Sequence, residues 1–292
     1  MKLFKNALAL LFAAALCFTL LAGCSAKPAE TGPSAGANAG PGQAAADDDL
    51  SYIRANGKMV IGYTVYEPMN YTDDSGELTG FDTEFARIVC EKLGVEPEFV
   101  EINWDTKEIE LNAKSIDCIW NGMTITPERS ETMSVSLPYV KNAQVVVVRA
   151  DSAVASTADL IGKTVVAEIS SAGEMQLIGS EDSEPEENLA QAVYIGMAKQ
   201  TDCLLEVKAG TADAAVLDWT LAKTMVGEGT SYADLKLLEG GELASEEYGV
   251  AFRKGSSVTE RVNTIIGELV ADGTLPALAE KYGLSLAPEI DK

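Results

Sequence analysis

Arg129 stands just inside a helix-start pattern that directly follows a strand pattern, and that arrangement is an anion site in outline. In Thr124-Ile125-Thr126-Pro127-Glu128-Arg129, Thr126 is a good N-cap and Pro127 takes the first helical position, where no N–H is needed. Unpaired backbone N–H groups, the positive end of a helix dipole and a guanidinium converge there. A guanidinium meets a carboxylate as a two-pronged donor. A second charged group, Asp218, closes the apolar run 214–217 and precedes a helix pattern that begins at Trp219. Such a carboxylate accepts from a cation, caps the helix, or does both.

Other chemistries are excluded or weakened by composition. The chain contains no histidine, which removes every histidine-based dyad, triad or metal site. It has no P-loop and no Gly-x-Ser-x-Gly. Lys and Arg number 22 against 45 Asp and Glu, a net charge of −23, so a nucleic-acid partner is disfavoured. Asp73-Asp74-Ser75-Gly76 is a turn signal without the ligand spacing of a calcium loop. Cys90, Cys118 and Cys203 lack Cys-x-x-Cys spacing and read as buried thiols, with one disulfide possible in an oxidising location. No cofactor and no metal is expected.

These residues need elements to position them. At the N-terminus, Lys2 and Lys5 precede an apolar run at 7–21, shorter than the ~20 residues of a spanning helix. Leu21-Ala22-Gly23-Cys24 then resembles a bacterial lipoprotein box. The resemblance implies removal of residues 1–23 and a lipid on Cys24. Residues 24–49, rich in Ala, Gly and Pro, read as a flexible tether.

Beyond it, strands and helices alternate, which predicts parallel sheets with helices on their faces. Strands are expected at 59–63, 98–100, 116–120, 144–148, 164–167, 193–195, 214–217 and 249–252. Helices are expected between them and at 258–271 and 275–282. A hairpin is expected within 70–79, and Asp82 is expected to cap a helix that runs to Gly94. The segments 110–120 and 206–216 echo each other, each a helix end, a tight turn with Asp117 or Asp213, and a buried strand. Counting on from the aspartate, Gly122 takes the place of Asp218. Ligands of open α/β sheets sit beyond the carboxyl ends of strands, so Gly122 to Thr124 and Asp218 belong to two binding edges.

With these pieces in order, the chain from about 57 to 282 resembles the solute-binding proteins of polar amino acid ABC transporters. The resemblance rests on Pro68 with Gly76-Glu77-Leu78-Thr79-Gly80-Phe81-Asp82, on 124–129, on Pro138-Tyr139, on 248–255 and on Asp272-Gly273-Thr274. It implies a two-lobe, type II periplasmic-binding-protein fold of the α/β class. Each lobe would be an open sheet with helices on both faces, and two crossover strands would join them. Lobe one would be 50–140 with 249–292; hinge strands and lobe two would be 141–248. Arg129 would clamp the α-carboxylate of an amino acid, helped by Thr124, the backbone at Gly122 and the turn Ser171-Ala172-Gly173. Asp218 would accept from the α-ammonium. Tyr66 and Trp104 would wall the side chain, and Asn121 is an even case.

Three positions depart from the pattern: Thr64 where some relatives carry Asp, Ala172 where many have Thr, and Trp120-Asn121 ahead of Gly122. The missing acid at 64 weighs mildly against a Lys, Arg or His ligand; Glu168 either restores a negative charge or faces solvent. Trp120 reads as core. The implied partners are an amino acid, transporter permease subunits and, through Cys24, the outer face of a membrane, with the chain a monomer. An enzyme reading, a dehydratase-like lyase using Glu168, and a sensor-domain reading are the alternatives.

Overall fold

The computed structural model describes residues 48–290; the signal, most of the tether and Cys24 lie outside the described residues. The helices are α1 (Asp49–Asn56), α2 (Phe81–Leu93), α3 (Lys107–Asn112), α4 (Pro127–Thr132), α5 (Ala172–Ile178), α6 (Gln200–Ala209), α7 (Trp219–Met225), α8 (Val258–Ala271) and α9 (Thr274–Lys281). The strands are β1 (Lys58–Tyr63), β2 (Tyr71–Thr72), β3 (Leu78–Thr79), β4 (Glu96–Glu101), β5 (Cys118–Thr124) and β6 (Met133–Val135). They continue with β7 (Val140–Arg149), β8 (Thr164–Glu168), β9 (Val193–Met197), β10 (Ala214–Asp218) and β11 (Leu235–Arg253). Short 3-10 turns precede α3, β8 and β9.

Two parallel triplets, β4-β1-β5 and β10-β8-β9, are the alternating units expected from the sequence. Between them run β11 and β7, antiparallel to each other and to the strands they flank. Because these two pair with each other, the ladder is continuous in the order β4-β1-β5-β11-β7-β10-β8-β9. The β7–β11 register is regular from Val140↔Tyr248 to Gln144↔Ala244. It then shifts twice, between Ala244 and Glu242 and between Glu242 and Leu237.

The echoing segments share one interaction. Asp117 accepts from the Val60 N–H in β1, and Asp213 accepts from the Thr164 N–H in β8, both at 2.9 Å. Each aspartate thus ties the turn before its strand to the neighbouring parallel strand.

Helix α2 shows how the pattern becomes packing. Phe81, Phe85, Val89 and Leu93 fall on one face at helical spacing and are buried. Burial of each such side chain contributes about 1.5–3 kcal/mol. Gly94 ends the helix in the left-handed conformation, φ 75°. Asp82 is not its cap. Gly80 holds that position, and the Asp82 carboxylate turns inward, where Oδ2 accepts from the Gly122 N–H at 2.6 Å and the Tyr139 hydroxyl at 3.1 Å. Trp120 is core: fully buried, with Phe85 edge-on at 5.0 Å. Cys90, Cys118 and Cys203 are buried free thiols. The carboxylate of Asp73 is bonded to the backbone and hydroxyl of its own turn.

Two elements exceed the sequence reading. Helix α1 begins at Asp49, the last residue read as tether, and fills 50–56, where the sequence reading expects no element. Strand β11 is 19 residues long, of which only the last quarter carries the apolar run that marks a strand. Among the described residues, no helix is long and apolar enough to cross a membrane.

Candidate functional site

Arg129 is anchored from both sides. Helix α4 begins as expected, with Pro127 in its first turn and Thr126 Oγ1 accepting from the Arg129 N–H at 3.2 Å. The Arg129 side chain is buried, and Nη1 donates to the Thr124 carbonyl at 2.7 Å. Its Nη2 donates to the Ser170 carbonyl at 3.0 Å, across from the first triplet to the second. Of five guanidinium N–H groups, two are used by these bonds.

Ser170 carries more than one such contact. Its φ is +59°, unusual outside glycine. The conformation is held by its N–H donating to Glu174 at 2.8 Å and its hydroxyl donating to Asp105 at 2.7 Å. Its carbonyl also accepts from Lys107 Nζ at 3.2 Å. Lys107 lies 4.7 Å from the centre of the Trp104 ring and Arg129 lies 5.9 Å from it. Burial first, and the Arg129 charge second, push Lys107 down to about 7.

On the opposite side stands Asp218, the last residue of β10. Its side chain caps nothing in α7. Instead Oδ1 accepts from Asn142 Nδ2 at 2.6 Å and Gln144 Nε2 at 2.7 Å, and Oδ2 accepts from Gln200 Nε2. Asn142 and Gln144 project from β7, and their amides also donate to Glu246 on β11, at 2.5 and 2.8 Å. Burial, and then the Asp218 charge, raise Glu246 above the usual carboxylate range.

Tyr66, Trp104, Asn121, Gly122, Thr124, Arg129, Glu168, Ser171, Ala172, Gln200 and Asp218 line one small cavity. Arg129 and Asp218 thus face one enclosed space from the two parallel triplets. A group that carries both a carboxylate and an ammonium would meet an opposite charge at each end.

The chain from 59 to 285 matches the model of the bacterial extracellular solute-binding proteins, family 3. The chain belongs to this family. It is 30% identical over 237 residues to the L-cystine-binding protein TcyJ of Escherichia coli (strain K12), covering 80% of this chain and 85% of TcyJ. Among solved structures, a mutant of ArgBP from T. maritima has a TM-score of 0.72 at 34% identity, covering 80% of this chain and 99% of that one. Tv2483 bound to L-arginine has a TM-score of 0.75 at 26% identity, covering 83% and 97%. These neighbours share the two-lobe architecture expected from the sequence.

In this solute-binding protein the residues singled out by sequence fall into place unevenly. Asn121 reaches the cavity wall, but its amide is engaged: Oδ1 accepts from the Thr64 N–H and Asn70 Nδ2, both at 2.9 Å, and Nδ2 donates to Thr64 Oγ1 at 2.7 Å. The Gly122 N–H is committed to Asp82, so its carbonyl is what the backbone can still offer. The Thr124 hydroxyl donates to Glu246 at 2.9 Å. The Tyr66 hydroxyl meets those of Thr220 and Tyr248, the latter at 2.5 Å. Ser171 caps α5, accepting from the Glu174 N–H at 3.1 Å. Ala172 and Gly173 open that helix, where N–H groups have no intrahelical partner. At Gly173 a Cβ would lie 2.9 Å from the Val216 carbonyl.

Sequence reasoning missed Asn142, Gln144, Gln200, Glu246 and Lys107. For the first two a signal existed: two amides, two residues apart, at the start of a β-branched run and so on one strand face.

Gly122 yields a stability prediction. Its φ is +56°, and a Cβ there would lie 2.7 Å from the Tyr66 ring and 3.0 Å from that of Tyr248. Gly122→Ala combines left-handed strain with overpacking, about 2–4 kcal/mol together. Thermal unfolding should fall by roughly 4–16 °C, and a change under 2 °C would show that the rings yield freely.

Proposed function

We propose that this protein captures a polar L-amino acid in the cavity between its two lobes and delivers it to the permease of an ABC transporter. The observation that carries this reading is the pair of opposite, buried charges, Arg129 and Asp218, on facing walls of one cavity. Arg129 holds the α-carboxylate, helped by Thr124 and the N–H groups at Ala172 and Gly173. Asp218 holds the α-ammonium, with the Gly122 carbonyl beside it, and Tyr66 and Trp104 wall the side chain. Lobe one is 50–140 with 249–292, and 141–248 supplies the hinge strands and lobe two. The names of the relatives, cystine- and arginine-binding proteins among them, support the class of ligand. The protein binds without turnover. Cleavage before Cys24 and a lipid on its thiol hold it, as a monomer, at the outer face of the membrane.

Mass spectrometry of the small molecule released on denaturing the purified protein tests this reading. An intact amino acid is expected; a dehydrated or otherwise altered product would favour an enzyme. Asp218→Asn separates the two ends of the ligand. Loss of one charge-assisted pair, about 1.5–3 kcal/mol, weakens amino acids roughly 10- to 100-fold. Analogues that keep the carboxylate but lack the amine should change little. Equal losses for both would remove Asp218 from this role.

A further inference from the structure

We propose that Glu168 reads the ligand's side chain and that the ligand is an amino acid with a positively charged side chain. The proposal rests on the amino-acid reading above and follows from the charges that line the cavity. A zwitterion needs one cation and one anion, supplied by Arg129 and Asp218. Glu168 is a third charge. It ends β8, is 5% exposed and lines the same cavity. Its carboxylate forms no ion pair among the described residues.

Among the described residues, no neighbouring cation is paired with Glu168. Lys107 Nζ donates to the Trp104 and Ser170 carbonyls, at 3.0 and 3.2 Å. The Gln200 amide is bonded at both ends to Asp218, Nε2 donating to its carboxylate and Oε1 accepting its N–H at 3.0 Å, and it also hydrogen-bonds Glu168, a neutral contact that supplies no counter-charge. A buried charge without a counter-charge is costly, so the site is incomplete until a cation reaches Glu168 or a proton neutralises it.

Two further observations agree. A cleft that shares Arg129 with the cavity is bordered by five acids, Asp105, Glu108, Glu128, Glu174 and Glu181, against two cations, Lys107 and Arg129, an excess of negative charge that favours cations. The absence of an acid at 64 does not count against such a ligand. Thr64 is engaged by the Asn121 amide and is not part of the cavity wall.

Protonation supplies a signature. Burial first, and the Asp218 charge second, push Glu168 up to about 8. The charged or titratable groups that face it are Lys107 from α3, Asp218 from the end of β10, and Lys199, Asp202 and Cys203 from the start of α6. At pH 7 the unliganded site therefore holds the proton for most of the time. A ligand cation favours the charged form, so binding releases a proton and affinity rises with pH up to about 8. Lys107 titrates in the same window with the same sign. The share that belongs to Glu168 is the share lost in Glu168→Gln.

The test is calorimetry on the full-length protein, freed of bound ligand, in two buffers of different ionisation enthalpy. Arginine is compared with citrulline, its uncharged counterpart, and lysine with norleucine. Wild-type protein should bind each charged ligand at least about tenfold tighter than its partner, with proton release at pH 7. Glu168→Gln should shrink that gap roughly 10- to 100-fold and abolish Glu168's share of the release. Equal affinity for arginine and citrulline in the wild type would overturn the proposal with no variant required, and leave amino-acid capture standing. A gap that survives in Glu168→Gln would overturn Glu168 as its reader. Binding of no amino acid at all would overturn both readings.

Discussion

Arg129→Ala should weaken amino-acid binding by roughly tenfold to several hundredfold. The lower figure corresponds to one charge-assisted bond of about 1.5 kcal/mol, and the upper to a two-pronged contact made in a buried site. The guanidinium is already positioned by the Thr124 and Ser170 carbonyls, so little side-chain freedom remains to be lost when the ligand arrives. Its removal also leaves Asp218 and Glu168 facing the cavity with less positive charge nearby. One effect works the other way. Lys107 sits over the same Trp104 ring and bonds the same Ser170 carbonyl, and it would gain basicity once its like-charged neighbour is gone. Lysine there is a point charge on a different stem and cannot reproduce a planar fork, so it offsets only part of the loss. Arg129→Lys should fall between wild type and Arg129→Ala. Titration calorimetry with the ligand that co-purifies decides the matter, and an unchanged Kd in Arg129→Ala would remove the clamp from the account.

The second large effect concerns stability and lies away from the cavity. Arg253→Ala should lower the unfolding free energy by about 3–5 kcal/mol. Arg253 sits at the end of β11, where Nε donates to Asp49 at 3.0 Å and Nη2 to Asp117 at 3.1 Å. Nη1 donates to the Ile116 carbonyl at 2.8 Å. All three charged side chains are nearly buried. Removing the cation therefore strands two carboxylates in a site that cannot hydrate them fully. Asp117 keeps the Val60 N–H as a donor, which places the cost toward Asp49 and α1. The midpoint of thermal unfolding should drop by roughly 6–20 °C. Asp49→Asn added to Arg253→Ala should recover part of it. A drop under 2 °C would show that solvent reaches this cluster freely.

Much of this was legible in the sequence because it is local. The α4 start is carried by Thr126, Pro127 and Arg129 within a few residues, and the structure reproduces that cap. The Asp117 and Asp213 echo was visible as a repeat, and it corresponds to the same strand-to-turn bond in each triplet. What escaped was long-range. The bond from Gly122 to Asp82 joins residues 40 apart and displaces a helix cap that local rules favour. The first three quarters of β11 contain Gly240, Gly241 and several glutamates, so no periodic apolar signal marks them. That strand exists because β7 provides its hydrogen-bond partner, not because of its own side chains. The cluster of Asp218, Glu246, Asn142 and Gln144 has the same origin, since it draws on three strands at once.

The shifted register of β11 has a mechanical consequence. In the capture proposed above, the two triplets part to admit the ligand, and β7 and β11 are the strands between them. A ladder bends most easily where rungs are already missing. The compliant stretch is therefore 238–243, while the evenly spaced rungs from Ala244 to Tyr248 stay stiff. Asn142, Gln144 and Glu246 stand on the stiff side. The frame that orients Asp218 can therefore ride through opening and closing as one piece, without being rebuilt in each cycle.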